Sequence, residues 1–186
     1  YAALAEALEM KGHASKSLTA GEPPLQHTEL LTSLDLSLDL TSTEEYDSLG
    51  LTEVRVLHGF VSASRCLTKL DLRWCRIGNK GAKVLADAVA LSGSLANVTL
   101  SGNEIGRGGP AGARAIADAI RASVSLTELI LSSNMLGNMA TKVLAESLKV
   151  NNSLATLWLD FNEIGDEGAK AIGEALCVNG SLTKLY

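Results

Sequence analysis

The residues of this chain that could do chemistry are few and lie far apart. Its histidines are His13, His27 and His58. Two of them fall in a stretch rich in Gly, Pro, Ser and Thr and the third in a helical pattern, which suits solvated imidazoles rather than a triad or a metal cluster. The cysteines, Cys66, Cys75 and Cys177, are odd in number and have no close pair. They read as free, buried thiols of a reducing compartment, and so of a cytoplasmic protein. The sequence holds no Walker pattern, no H-E-x-x-H, no C-x-x-C and no EF-hand loop. Gly106-Arg-Gly-Gly-Pro-Ala-Gly112 follows a strand pattern and opens a helix, the setting in which backbone N–H groups hold phosphate. Its spacing fits neither G-x-G-x-x-G nor the Walker pattern, so it reads as an insertion in an ordinary turn. Asp35 and Asp39 could form a carboxylate pair. They read instead as one solvent-facing strand residue and one turn residue. No catalysis, cofactor, metal or small-molecule substrate is expected.

Composition narrows the partner. The chain has 186 residues, a net charge of −5 and a pI near 5.2, which disfavours phosphate backbones and hence nucleic acid. No apolar run reaches the length of a membrane span. The opening Tyr1–Leu8 stretch has no basic lead and carries Glu6, unlike a signal peptide. Hydrophobic residues make up 46% but aromatics only 4%, so Leu, Ala, Val and Ile must build the core of what reads as one domain. Sequons at Asn97, Asn151 and Asn179 read as chance occurrences, the first of them in a strand.

The elements that would position any site come from an internal repeat. Leu67-Thr-Lys-Leu70-Asp-Leu72-Arg-Trp-Cys75-Arg-Ile77-Gly78 recurs as Leu95 to Gly106, Leu126 to Gly137 and Leu154 to Gly165. A further copy begins at Leu182, and a weaker one, Leu31-Thr-Ser-Leu34-Asp-Leu36-Ser-Leu-Asp39, comes first. From Leu67 the starts lie 28, 31, 28 and 28 residues apart, and the long spacing matches three extra residues around Arg107–Pro110. Leu31 precedes Leu67 by 36 residues, with the excess expected in Thr41 to Ser48. Residues 1–30 are expected to hold the helical half of one more unit and then a loop insertion. Repeats are thus expected to start near 31, 67, 95, 126, 154 and 182.

Each unit carries two periods. Leucines at positions 1, 4 and 6 end in the alternation of a short strand, and a helical pattern follows, as in Gly81, Ala82, Leu85, Ala86 and Val89. Asn79, Asn138 and Asp166 sit where N-caps belong, and Pro110 suits a first helical position. Position 9, where the chain leaves the strand, is Cys75, Asn103, Asn134 and Asn162. An Asn amide there can satisfy turn N–H and C=O groups that would otherwise be buried unpaired. Asp39 stands at this position in the first copy.

These residues resemble the ribonuclease-inhibitor-like class of leucine-rich repeats. Ile164-Gly-Asp-Glu-Gly-Ala-Lys-Ala-Ile-Gly-Glu-Ala-Leu176 is similar to the repeats of NOD-like receptors and of Ran GTPase-activating proteins. The resemblance covers Leu31 to Tyr186. It implies an α/β solenoid, a horseshoe of about five full repeats with a parallel sheet on the concave face and helices on the convex one. The stack shows no polar end cap, so the sequence is expected to be a segment of a longer protein.

Such a sheet points positions 4 and 6 inward and positions 3, 5, 7 and 8 toward the concave face or its rim. Five strands at a spacing of about 4.8 Å span roughly 20 Å, enough for a small interface. Trp158, Phe161 and Ile130 are expected to form an apolar patch there, with Asp160 and Glu128 alongside. Arg73, Trp74 and Arg76 make a second, cationic and aromatic group. Trp and Arg dominate binding hot spots. The expected function is therefore non-catalytic binding of a protein partner. The resemblance also implies one alternative, a GTPase activator of the Ran type, for which Arg73 and Arg76 are the concave or rim arginines; a structural subunit of a cytoskeletal or ciliary assembly is a second alternative.

Overall fold

The computed structural model describes residues 33–35 and 49–186. The expected first helix and loop of residues 1–30, the turn residue Asp39 and the Thr41–Ser48 insertion lie outside these. Strands and helices alternate as β1 (Ser33–Asp35), α1 (Leu51–Ala63), β2 (Lys69–Asp71), α2 (Gly78–Leu91), β3 (Asn97–Thr99), α3 (Ala111–Ala122), β4 (Glu128–Ile130), α4 (Gly137–Leu148), β5 (Thr156–Trp158), α5 (Asp166–Leu176) and β6 (Lys184–Leu185). The strands pair in parallel and in chain order to form one six-stranded sheet. Leu34, Leu70, Val98, Leu129, Leu157 and Leu185 lie opposite one another across it. Each helix packs on the next, so every unit leans on its neighbours.

The core lies between the two layers. Positions 1, 4 and 6 of the four complete units, from Leu67 to Leu159, are all buried. The helices meet them with small and aliphatic residues, among them Ala82, Leu85, Ala113, Ile116, Ala140 and Leu144. Gly81 and Gly168 are small because a Cβ there would stand 2.8 Å from Ile77 and Ile164, the residues that lead into the same helices.

Position 4 is Val in one unit where the others have Leu. Val98 lines an apolar cavity of about 20 Å³ with Leu70, Leu129, Leu85, Ile116 and Ile120. Such a space stays dry. Val98→Leu is expected to raise stability by about 0.8 kcal/mol, the value of one buried methylene, in a urea unfolding titration.

The helix starts differ from the sequence expectation. Asn79 and Asn138 are the second residues of α2 and α4, not their N-caps, and none of the five described helices shows a side-chain N-cap bond of its own. Each caps the next helix instead. Asn79 Oδ1 accepts the Gly112 N–H at the start of α3, and Asn138 Oδ1 accepts the N–H groups of Gly165 (2.9 Å) and Gly168 (3.0 Å) at the start of α5. The stack brings each helix N-terminus beside the preceding one, so the orphan donors are met across units. Asp166 is the first residue of α5 after the N-cap Gly165, and Pro110 is the N-cap of α3 rather than its first residue.

Candidate functional site

A ladder of buried amides fixes the concave rim. Asn134 Nδ2 donates to the carbonyls of Leu100 (2.8 Å), Leu131 (2.9 Å) and Ser132 (3.2 Å). Its Oδ1 accepts the N–H groups of Asn103 (3.0 Å) and Ile105 (3.3 Å). Asn103 and Asn162 repeat the pattern one unit to either side. Cys75 fills the same buried position with a thiol, 3.5 Å from the Arg73 carbonyl. This turn holds its flanking residues in the left-handed region, with φ 62° at Trp74, 49° at Arg76, 58° at Ser133 and 55° at Phe161. The bonds of the ladder offset the cost of that conformation in residues with a Cβ.

A second ladder, unread in the sequence, ties the helix-to-strand turns. Ser64, Ser92, Ser123, Asn151 and Asn179 accept the N–H of the leucine three residues on. The Nδ2 atoms of Asn151, Asn179 and Asn97 donate to Ile120 O, Leu148 O and Glu128 Oε2, so all three sequon amides are engaged within the fold. The recurring Ser/Asn-x-Ser-Leu is the signal that would have found this ladder.

On the concave face Ile130 lies opposite Trp158 in register. Trp158 stacks on Tyr186, with centroids 3.7 Å apart and planes at 14°. Tyr186 is position 5 of the last unit, as Trp158 is of the one before, and it was not among the residues expected on this patch. Phe161 is 83% exposed and lines an open concavity with Tyr186, Leu185, Ile164 and Ile172. The patch thus runs Ile130, Trp158, Tyr186, and Phe161 meets it through Tyr186. Its acids are anchored: Asn97 Nδ2 donates to Glu128 (2.6 Å) and Ser132 Oγ to Asp160 (2.6 Å).

The second group has a different character. The Trp74 ring lies over Gly102, where a Cβ would come within 2.0 Å of Cε3, so Trp74 is packed on the next turn rather than presented. Arg73 forms an ion pair with Asp71 at 2.9 Å, and Arg76 is exposed.

The glycine-rich run spends its N–H groups internally. Gly106 donates to Asn134 O, Arg107 to Glu104 O, Gly109 to Gly106 O, and Gly112 to Asn79. It is a turn insertion that spends these four N–H groups within the fold. Surface pairs account for the perturbed acids and bases away from the concave face. The Glu104 carboxylate raises the Arg107 guanidinium, Glu146 raises Lys149, and Lys142 holds the Glu167 carboxyl below its ordinary value by hydrogen bonding across α4 and α5. Among the described residues, no group of three or more His, Cys, Asp or Glu could hold a metal, and no helix is long and apolar enough to cross a membrane.

Parallel strands in phase, full helices on the outer layer and a buried amide ladder define a leucine-rich-repeat solenoid. The Leucine Rich repeat family model matches residues 63–86 and 150–173, two stretches of this solenoid. No curated protein matches the sequence. Among solved structures, leiomodin-1 Actin-Binding Site 2 is similar at 15% identity and a TM-score of 0.59, over 94% of this chain and 87% of that one. The tropomodulin C-terminal domain of Caenorhabditis elegans is similar at 15% identity and 0.59, over 95% and 92%. The leucine-rich repeat-containing protein LegL7 from Legionella pneumophila matches at 20% identity and 0.48, over 74% and 51%.

Proposed function

We propose that the chain is a non-catalytic module that binds a protein partner on its concave face, at the β4–β6 end. The observation that carries this reading is the aromatic column of half-buried Trp158 and exposed Tyr186, continued by Ile130 and Phe161 and flanked by Glu128 and Asp160. Aromatic anchors beside fixed polar groups are the usual makeup of a hot spot. Convex helices of 11 to 14 residues support the ribonuclease-inhibitor-like class within the family. Three free cysteines support a reducing, cytoplasmic setting, although Cys75 alone is buried and Cys177 is exposed, unlike the buried thiols expected from the sequence. The engagement of Arg73 by Asp71 weighs against the GTPase-activating alternative.

The test is capture of partners from native lysate by the wild-type chain and by Trp158→Ala/Phe161→Ala, with circular dichroism to show that both are folded. A partner held by the wild type and lost by the variant is the expected result. Equal capture by both sinks the reading. A cytoskeletal role is the second reading, favoured by the near full-length likeness to two domains, one of them Actin-Binding Site 2 of leiomodin-1. Co-sedimentation with filaments and a binding titration with monomeric actin test it. Absence of binding to either form removes actin as the partner.

A further inference from the structure

We propose that the Trp158 indole N–H is a recognition donor held in reserve on the concave face. It is taken up by a main-chain carbonyl of a partner segment that carries a lysine or arginine beside an apolar residue. This rests on the concave-face reading above and names the chemistry of what that face takes.

Trp158 Nε1 is the one buried side-chain nitrogen or oxygen without a hydrogen-bond partner among the described residues. The contrast with its surroundings is sharp. The buried amides of Asn103, Asn134, Asn151 and Asn162 donate and accept at nearly every available site. A fold that satisfies its amides this fully leaves one donor unspent, and an unpaired buried donor is a cost that stability alone does not explain. Phenylalanine would supply a ring at this position without the donor.

The Tyr186 ring, which is 52% exposed, stacks on one face of the indole. A partner that parts the stack gains one face of each ring, and the N–H, which lies in the plane of the indole, is met at the ring's edge.

Charge selects the acceptor. Glu128 lies on β4, next to β5, and Asp160 lies two residues beyond Trp158. Their bonded partners, an amide and a hydroxyl, are neutral. Lys184, at position 3 of the last unit, is the cation on this part of the face and lies opposite Thr156. Two carboxylates against one ammonium would repel a carboxylate acceptor and favour a neutral carbonyl. The same charges draw a cationic side chain onto the freed aromatic faces, where it gains further attraction.

The test uses Trp158→Phe in the whole chain. In the free protein the Trp158 indole N–H resonance is expected at the position of an unbonded indole. A resonance already shifted downfield there would mean that the N–H is bonded in the free state and would overturn the proposal. A display library of random 12-residue peptides is then selected on the wild-type chain. Selected peptides are expected to carry Lys or Arg next to an apolar residue and to bind Trp158→Phe at least tenfold more weakly. The chain has only two tryptophans, so two indole N–H resonances are expected, and the one missing in the variant reports on Trp158. Peptide should move that resonance downfield and release the Tyr186 ring from the stack. Peptides that bind Trp158→Phe as well as the wild type, but not Trp158→Ala/Phe161→Ala, would leave the concave face standing and overturn the donor. Peptides indifferent to both variants, or no selected peptide at all, would overturn both.

Discussion

Asn134→Ala is expected to lower the unfolding free energy by about 4 kcal/mol. The amide is fully buried and serves five backbone groups in two adjoining units. Alanine leaves the Asn103 and Ile105 N–H groups without their acceptor, at about 1–3 kcal/mol for each buried orphan, and removes three donated bonds besides. Asn134→Asp is expected to be as damaging, because a carboxylate keeps the acceptor but faces three carbonyl oxygens. Asn134→Cys is expected to be the mildest of the three, since Cys75 already fills this position two units earlier. Urea titrations with paired circular dichroism and fluorescence check these values. The Asn134 side chain joins its own unit to the one before, so its loss is also expected to broaden the transition as the two halves uncouple.

Gly106→Ala is expected to cost about 3 kcal/mol or more, and for a different reason. A Cβ at Gly106 would stand 2.0 Å from the Met135 carbonyl oxygen and 2.8 Å from the Leu136 Cα, so backbone of the next unit would have to move. Overpacking against backbone falls at or beyond the usual cost of about 1–3 kcal/mol for an inserted methyl. The glycine at the same position of the following unit makes the comparison. Gly137 has open space around a built Cβ, and its φ is +58°. Gly137→Ala is therefore expected to cost only the left-handed penalty, about 1–2 kcal/mol. Thermal unfolding of the two variants side by side distinguishes them: equal losses would mean that the close approach at Gly106 does not hold.

Much of this architecture was legible because the repeat writes the same physics several times. Leu67, Leu70 and Leu72 announce a strand with one buried face, and the 28-residue return of that triplet places the next strand beside it in parallel. The Asn ladder was legible because a polar residue between apolar ones must bond turn backbone, whichever neighbour supplies it. What escaped were bonds that run between units. Asn79 and Asn138 look like caps of their own helices, since a sequence shows which residue precedes a helix but not which helix lies alongside. Asn151 and Asn179 carried the same ambiguity, with their amides spent on carbonyls about 30 residues back. Trp74 stood in the column of exposed residues, yet Gly102 one unit later leaves room for its ring. Phe161 occupies the same position 8 and is exposed. Tyr186 falls in the position-5 column by simple counting, and with it the stack on Trp158 comes within reach of the sequence.

Hydrogen–deuterium exchange of the complex with the captured partner tests the binding face most directly. Binding at the β4–β6 end predicts new protection in residues 128–133, 156–161 and 184–186, with the outer helices α2 to α5 exchanging as in the free chain. Protection confined to those helices, with the three concave segments unchanged, would contradict it.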